Sequence, residues 1–141
     1  MTKINLELVT PEGTLVSQEV DHLTGITETG EIGIYKDHAA LKSKLQIGTL
    51  KYFDENNAAH YIAVMNGIIE VSKNKVSIIS DYAIRAENID EARAQKKADD
   101  LKAELQISNE NAKTANPNLL LAEARLQKHL LLLKTARLQR D

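Results

Sequence analysis

The chain contains no cysteine and no tryptophan, and only one phenylalanine, two prolines and six glycines in 141 residues. Without cysteine there is no disulfide framework, no thiolate nucleophile and no cysteine-based metal site. Beyond that phenylalanine the aromatics are four tyrosines, so any core has to be built mainly from Ile, Val and Leu. No apolar run approaches the roughly 20 residues that cross a bilayer as a helix. The richest one, Leu130 to Leu133, is far too short. The N-terminus, Met1-Thr2-Lys3-Ile4-Asn5-Leu6-Glu7, alternates polar and apolar residues and lacks the apolar centre of a signal peptide. A soluble protein of a reducing compartment is expected, with any membrane association made through a partner. A strong charge of one sign is also missing: the formal net charge is −2, which argues against a dedicated nucleic-acid binder.

What is present is an ordinary globular composition, 43% apolar and 27% charged. The length suits one domain, or a small domain with an appendage. Residues 1–87 hold 8 basic and 12 acidic side chains, residues 88–141 hold 10 and 8. That mild asymmetry permits a basic tail meeting an acidic partner, although solvated surface charge explains it as well.

Up to about Ala86 the pattern has period two and is broken by turn residues. Ile4, Leu6 and Leu8 alternate with Lys3, Asn5 and Glu7, as in a strand with one buried face. Pro11-Glu12-Gly13 is a turn, and Leu15 to Ile26 reads as one or two strands. A short strand follows around Ile32, then Thr49–Phe53, the loop Asp54-Glu55-Asn56-Asn57, His60–Met65, Gly67–Val71, the turn Lys73-Asn74 and Val76–Ile78. Gly67 marks a bulge or a close backbone approach. About eight short strands at close spacing predict a sandwich or flattened barrel.

After Ala86 the period becomes helical. Asn88 or Asp90 caps a first helix, Asn88 with Glu91 forming a loose capping box. Ala94, Ala98, Leu101 and Leu105 make one stripe. Residues 107–118 are polar, and Asn116-Pro117 starts a second helix with Ala122, Leu126, Leu130, Leu133 and Ala136 on one stripe. An antiparallel helical hairpin is expected. Its seam is thin because half of the first stripe is alanine, whereas Leu119–Leu121 and Leu130–Leu133 place leucine around more of the second helix than one partner helix covers. The surplus leucines fit either a second binding place or rest against the sandwich.

Catalytic patterns are not visible. His22, His38, His60 and His129 lack metal-ligand spacing, and no nucleophile elbow or phosphate-binding glycine loop occurs. A binding or regulatory module is expected, not an enzyme.

The stretch Gly30-Glu31-Ile32-Gly33-Ile34-Tyr35-Lys36-Asp37-His38-Ala39-Ala40-Leu41 resembles the signature loop of ATP synthase epsilon subunits, with Lys36-Asp37 where Pro-Gly is usual and Ala40 in place of a proline. The resemblance continues through Ile47–Leu50, Asn66–Val71 and Ala83–Ala94, so it covers nearly the whole chain in order. It implies an α+β fold, with an antiparallel β-sandwich of eight to ten strands at residues 1–87 and a two-helix hairpin at residues 88–141. It implies a non-catalytic rotor subunit on the cytoplasmic face of the bacterial plasma membrane, whose partners are the gamma subunit, the c-ring and the catalytic alpha and beta subunits. The sandwich would couple c-ring rotation to ATP synthesis, and the mobile hairpin would inhibit ATP hydrolysis. Glu31 and His38 match the loop at the c-ring contact. Arg125, Lys128, Lys134, Arg137 and Arg140 are candidates for meeting an acidic catalytic-subunit segment. Some members of the family bind ATP through an Ile/Leu-Asp-x-x-Arg-Ala motif, which here reads Ile89, Asp90, Glu91, Ala92, Arg93, Ala94. Ile84 stands where tight binders carry an acidic residue, Asp100 where they carry a basic one, and Lys128 and Leu132 where two arginines are usual, so weak or no ATP binding is expected and no cofactor or metal. The alternatives are an ATP-sensing module, or an unrelated scaffold with a helical oligomerisation tail.

Overall fold

A computed structural model describes residues 3–111 and 117–140, with the side chains of all but 107–111, 117–119 and 140. Alternation shapes the first strand: in β1 (Ile4–Thr10) Ile4, Leu6 and Leu8 are buried while Asn5 faces solvent. Gly13, at φ +128°, turns the chain into β2 (Gly13–Val20), and β3 (His22–Thr27), β4 (Gly30–Ile34), β5 (Leu41–Leu45) and β6 (Gly48–Phe53) follow. The remaining strands are β7 (Ala59–Val64), β8 (Gly67–Ser72), β9 (Lys75–Ser80) and β10 (Ala83–Arg85). The sequence suggested about eight. β5 escaped it because lysine and serine occupy its middle, and β10 because three residues show no period.

One continuous ladder runs β10-β7-β6-β3-β5-β8-β9-β1-β2, with β4 added on β3. It closes over a core of Ile, Val and Leu, joined by Tyr52, as the shortage of aromatics requires. The sandwich is not wholly antiparallel, since Asn5–Val9 lie parallel to Lys75–Ile79. A parallel pair needs a long connection, which the seven intervening strands supply. Three local predictions hold. The Asp54 carboxylate accepts the N–H groups of Asn56 (2.8 Å) and Ala58 (2.9 Å), closing its loop. Lys73 and Asn74 form the β8–β9 turn at φ 52° and 61°, the pair of positive values that suits a tight hairpin. At Gly67 a Cβ would run into the carbonyl oxygen of Ile79, so this glycine marks a close approach and not a bulge.

The strands end at Arg85, whose guanidinium reaches the Tyr52 hydroxyl and the Leu15 carbonyl, both at 3.1 Å. A 3-10 turn (Ala86–Asn88) leads into α1 (Glu91–Asn111), and α2 (Pro117–Arg140) completes the chain. Asp90 is the N-cap of α1, accepting the Arg93 N–H at 3.0 Å. The capping box predicted for Asn88 and Glu91 does not form, because Asn88 is consumed by the 3-10 turn and Glu91 pairs with Arg137. α1 also extends to Asn111, further than the polar residues suggested. No glycine or proline interrupts it, and polar side chains alone do not end a helix. Pro117 opens α2 as expected, while its proposed cap, Asn116, lies outside the described residues.

The helices run antiparallel, because Arg137 near the end of α2 meets Glu91 at the start of α1. α2 is docked on the sheet through β7 and β6. Leu132 and Leu133 pack with Ala63 of β7 and with Ala94 and Ala98 of α1 in a cluster separate from the sandwich core. The predicted stripe needs one correction: Leu130 is 40% exposed, and Leu132 and Thr135 are buried in its stead. α2 has two buried neighbours, the sheet and α1, so its inward face is wider than the single stripe a lone partner helix would bury. Leu120, Leu121 and Leu138 remain exposed.

Candidate functional site: the seam between hairpin and sandwich

The seam sets three small residues against Leu132 and Leu133, with Tyr82, Ile84, Ile89, Leu126 and Leu131 only partly buried around them. Ala63, Ala94 and Ala98 are each at most 3% exposed, and their short side chains bring backbones close while removing little apolar surface from water. Polar links supplement it. Thr49 on β6 and Thr135 on α2 share a hydroxyl–hydroxyl hydrogen bond of 2.9 Å, with Thr135 fully buried. Tyr61 N–H donates to Gln139 Oε1 at 3.3 Å. Between the helices, Arg137 donates to Glu91 and to Gln95, each at 3.1 Å.

At one end of the seam a cavity of about 270 Å3 opens between α1, α2 and the β9–β10 connection. The four motif residues Ile89, Asp90, Arg93 and Ala94 all line it, and so do Lys97 and Lys128. Asp90 is occupied in capping α1, and the Lys128 ammonium sits 4.2 Å from the centre of the Tyr82 ring. Lys128, expected among the residues that meet a catalytic subunit, thus belongs in this state to the same cavity as the motif. Burial lifts the Tyr82 hydroxyl above its usual pKa, helped by Glu12. His129 also lines the cavity. Its Nδ1 is the one buried side-chain polar atom without a hydrogen-bond partner among the described residues. Burial, then Lys97, Lys128 and Arg93, hold its pKa below the ordinary imidazole value.

The other predicted residues are distributed differently. Glu31, on β4, borders a shallow groove of about 600 Å3 between sandwich and α2, shared with Ile26, Leu130, Lys134 and Leu138. His38 lies in the turn after β4, its N–H donating to Tyr35 O and its Nδ1 2.7 Å from Ala39 O. Asp37 adopts φ +64°, a left-handed conformation that glycine takes freely and aspartate tolerates. Asn74 holds it there, accepting the Asp37 N–H at 2.6 Å and donating to its carboxylate at 3.2 Å. Arg125 and Lys134 are exposed, Arg137 is engaged with α1, and the Arg140 side chain lies outside the described residues.

Comparison with known proteins agrees with this architecture. The family described as "ATP synthase, Delta/Epsilon chain, beta-sandwich domain" matches residues 3–86. The chain belongs to the ATP synthase delta/epsilon family. Among curated relatives, the ATP synthase epsilon chain of Herpetosiphon aurantiacus is 35% identical over 138 residues, 98% of this chain and 97% of that one. The epsilon chain of Nitratidesulfovibrio vulgaris (strain DP4) is 36% identical over 90% of each. That of Maridesulfovibrio salexigens is 45% identical over 92 residues, 65% of this chain and 64% of the relative. Two solved assemblies contain a chain of the same fold. A chain of the Euglena gracilis mitochondrial ATP synthase (OSCP/F1/c-ring) superposes with a TM-score of 0.77 at 21% identity, covering 92% of this chain and 79% of that one. A chain of the Tetrahymena thermophila mitochondrial ATP synthase central stalk and c-ring gives 0.59 at 15%, covering 95% and 96%.

Within the delta/epsilon family frame, several residues of this seam were invisible in sequence. Thr49 and Thr135 lie 86 positions apart and fit no motif. Lys97 was not singled out, and His129 was noted only for lacking metal-ligand spacing. The one available signal was the position of His129 three and four residues before Leu132 and Leu133, which puts an imidazole on a helix face that the docked hairpin buries.

Proposed function

We propose that this chain is a non-catalytic central-stalk subunit of an F-type ATP synthase. Its sandwich (residues 1–87) docks on the gamma subunit and the c-ring, coupling ring rotation to ATP synthesis. Its hairpin (residues 88–141) restrains ATP hydrolysis by leaving the sandwich and reaching the catalytic alpha and beta subunits. The complex places it on the cytoplasmic face of the bacterial plasma membrane, held there by its partners. No helix among the described residues is long and apolar enough to cross a membrane.

The observation that carries this reading is the pairing of a complete sandwich core with a hairpin docked by a separate, alanine-rich cluster. An element that switches needs two states a few kcal/mol apart, and a thin seam closed by a handful of polar links supports such a balance. Glu31 and His38 are the proposed c-ring and gamma contacts. Arg125 and Lys134 are exposed in the docked state and available to steer an acidic partner. Lys128 becomes available when the hairpin lifts off Tyr82 and Arg137 when the two helices part, and Arg140 completes the basic set. Deleting residues 88–141 is expected to leave a folded sandwich that still assembles, with ATPase inhibition reduced. Loss of assembly in that truncation would overturn the division of labour.

A second reading, ATP sensing, rests on the cavity that gathers Ile89, Asp90, Arg93 and Ala94. Its volume falls below the roughly 300–1,000 Å3 of ordinary ligand sites, and the Asp90 carboxylate, the motif's candidate for an adenine or ribose contact, is taken up in capping α1. Calorimetry is therefore expected to give weak or undetectable ATP binding, and a micromolar dissociation constant would revive nucleotide sensing.

A further inference from the structure

His129 stands out because its surroundings offer nothing to a proton. Its Nδ1 is buried with no acceptor in reach, and a protonated imidazole needs both ring nitrogens to donate. The charges facing it come from three sides. α1 contributes Arg93 and Lys97, with Asp90 as the single carboxylate lining the same cavity. α2 contributes Lys128 beside it, whereas Arg125 one turn earlier is exposed and does not line the cavity. The sheet side contributes the Tyr82 hydroxyl, which stays neutral at ordinary pH, and the 3-10 turn contributes Asn88. The Asp90 carboxylate is bound to the Arg93 N–H, so a fourth positive charge here would meet three cations and one occupied acid.

We propose that His129 makes docking of the helical hairpin sensitive to pH, its protonation releasing α2 from the sandwich as the surroundings acidify. This rests on the reading of the hairpin as a mobile element and names what biases it. In the docked state the His129 pKa is lowered, by burial first and then by Lys97, Lys128 and Arg93. In the released state the ring is solvated and titrates near the usual value of about 6.5. A lowered folded-state pKa means that docking is fully stabilised above the released-state value. It is lost as pH falls below that value toward the docked one. One proton changes the docking equilibrium by at most about tenfold per pH unit within that window. The other histidines have different settings: His22 and His60 lie 2.7 and 2.8 Å from Asp21 and Asp54, and His38 sits in an exposed-loop turn away from the hairpin.

The isolated full-length chain tests this without the rest of the synthase. Hydrogen exchange of the α2 amides, corrected for the intrinsic pH dependence of exchange, is followed from about pH 8 to about pH 5.5, the range in which an imidazole changes charge. Opening of α2 is expected to rise by several-fold below about pH 6.5 while the sandwich amides stay protected. In His129→Gln the extra opening is expected to vanish. An unchanged slope in that variant, or a flat profile in the parent chain, would overturn the proposal. Should His129→Gln fail to dock at any pH, NMR titration of the parent chain decides instead: a His129 midpoint at or above about 6.5 overturns it. ATPase inhibition by the two chains, measured separately in the assembled head, then distinguishes the two ideas. Opening that follows pH while inhibition does not leaves the His129 latch standing and removes the inhibitory role of the hairpin.

Discussion

The two buried clusters of this molecule are built from different residues. The sandwich core is a set of Ile, Val and Leu side chains joined by Tyr52, most of them 2% exposed or less. The hairpin cluster has three alanines and two leucines as its buried members. Deep burial of branched side chains contributes about 1.5–3 kcal/mol each, whereas alanine contributes little, so the same chain holds one region firmly and the other lightly. That contrast is what a fixed platform carrying a detachable arm requires, and it can be attacked from both sides.

The largest expected effect comes from one substitution made twice. Leu8, with no exposed surface, lies in β1 between β9 and β2, where neighbours are tied into the ladder and cannot close a gap. Leu8→Ala should lower the global unfolding free energy by about 2–5 kcal/mol, read as a drop in the sandwich melting temperature. Leu133→Ala removes the same atoms from the seam, where Leu133 is 3% exposed. There the hairpin is expected to undock, losing protection in α2 while the sandwich melting temperature barely moves. A large fall in sandwich stability from Leu133→Ala would show that the two clusters unfold as one, and the contrast would fail.

Much of this was legible in the sequence, for reasons that can be named. Ile4, Leu6 and Leu8 showed their strand because period two survives whenever one face is buried. Ala94, Ala98, Leu101 and Leu105 showed their helix because one partner covers one stripe. The tracing failed where tertiary packing decides. β5 carries Lys42, Ser43 and Lys44 between two leucines, so its pairing with β8 and β3 reveals it where the sequence does not. Leu130 fits the spacing of the second stripe yet faces outward, because the sheet draws Leu132 and Thr135 inward. The site divided in the same way. The motif residues Ile89, Asp90, Arg93 and Ala94 were readable and do line one cavity, with Lys97 one turn beyond Arg93 on the same helix, but Lys128 and His129 join it through the antiparallel return of α2, and local spacing carries no record of that.

Smaller effects refine the seam. Thr135→Val keeps the shape of a fully buried side chain while removing its hydrogen bond to Thr49. The Thr49 hydroxyl, only partly buried, can turn toward water, so the net loss should be about 1 kcal/mol, about a fivefold shift toward the released hairpin. Exchange rates of the α2 amides measure it. No change would mean that the two hydroxyls are better solvated apart than paired.

The smallest effect is expected from Arg137→Gln. Arg137 donates to Glu91 and Gln95 across the helices at 3.1 Å each, a geometry that looks like a clasp. Its side chain is 51% exposed and that of Glu91 31%, so water and salt screen the pair and the gain is about 0.2–1 kcal/mol. Removing the guanidinium should therefore raise hairpin opening by no more than a few-fold, and the difference between variant and parent should shrink as ionic strength rises. The alanine–leucine cluster, insensitive to salt in this range, would then carry most of the docking. An Arg137→Gln effect larger than that of Leu133→Ala would reverse this ranking and make the seam an electrostatic latch.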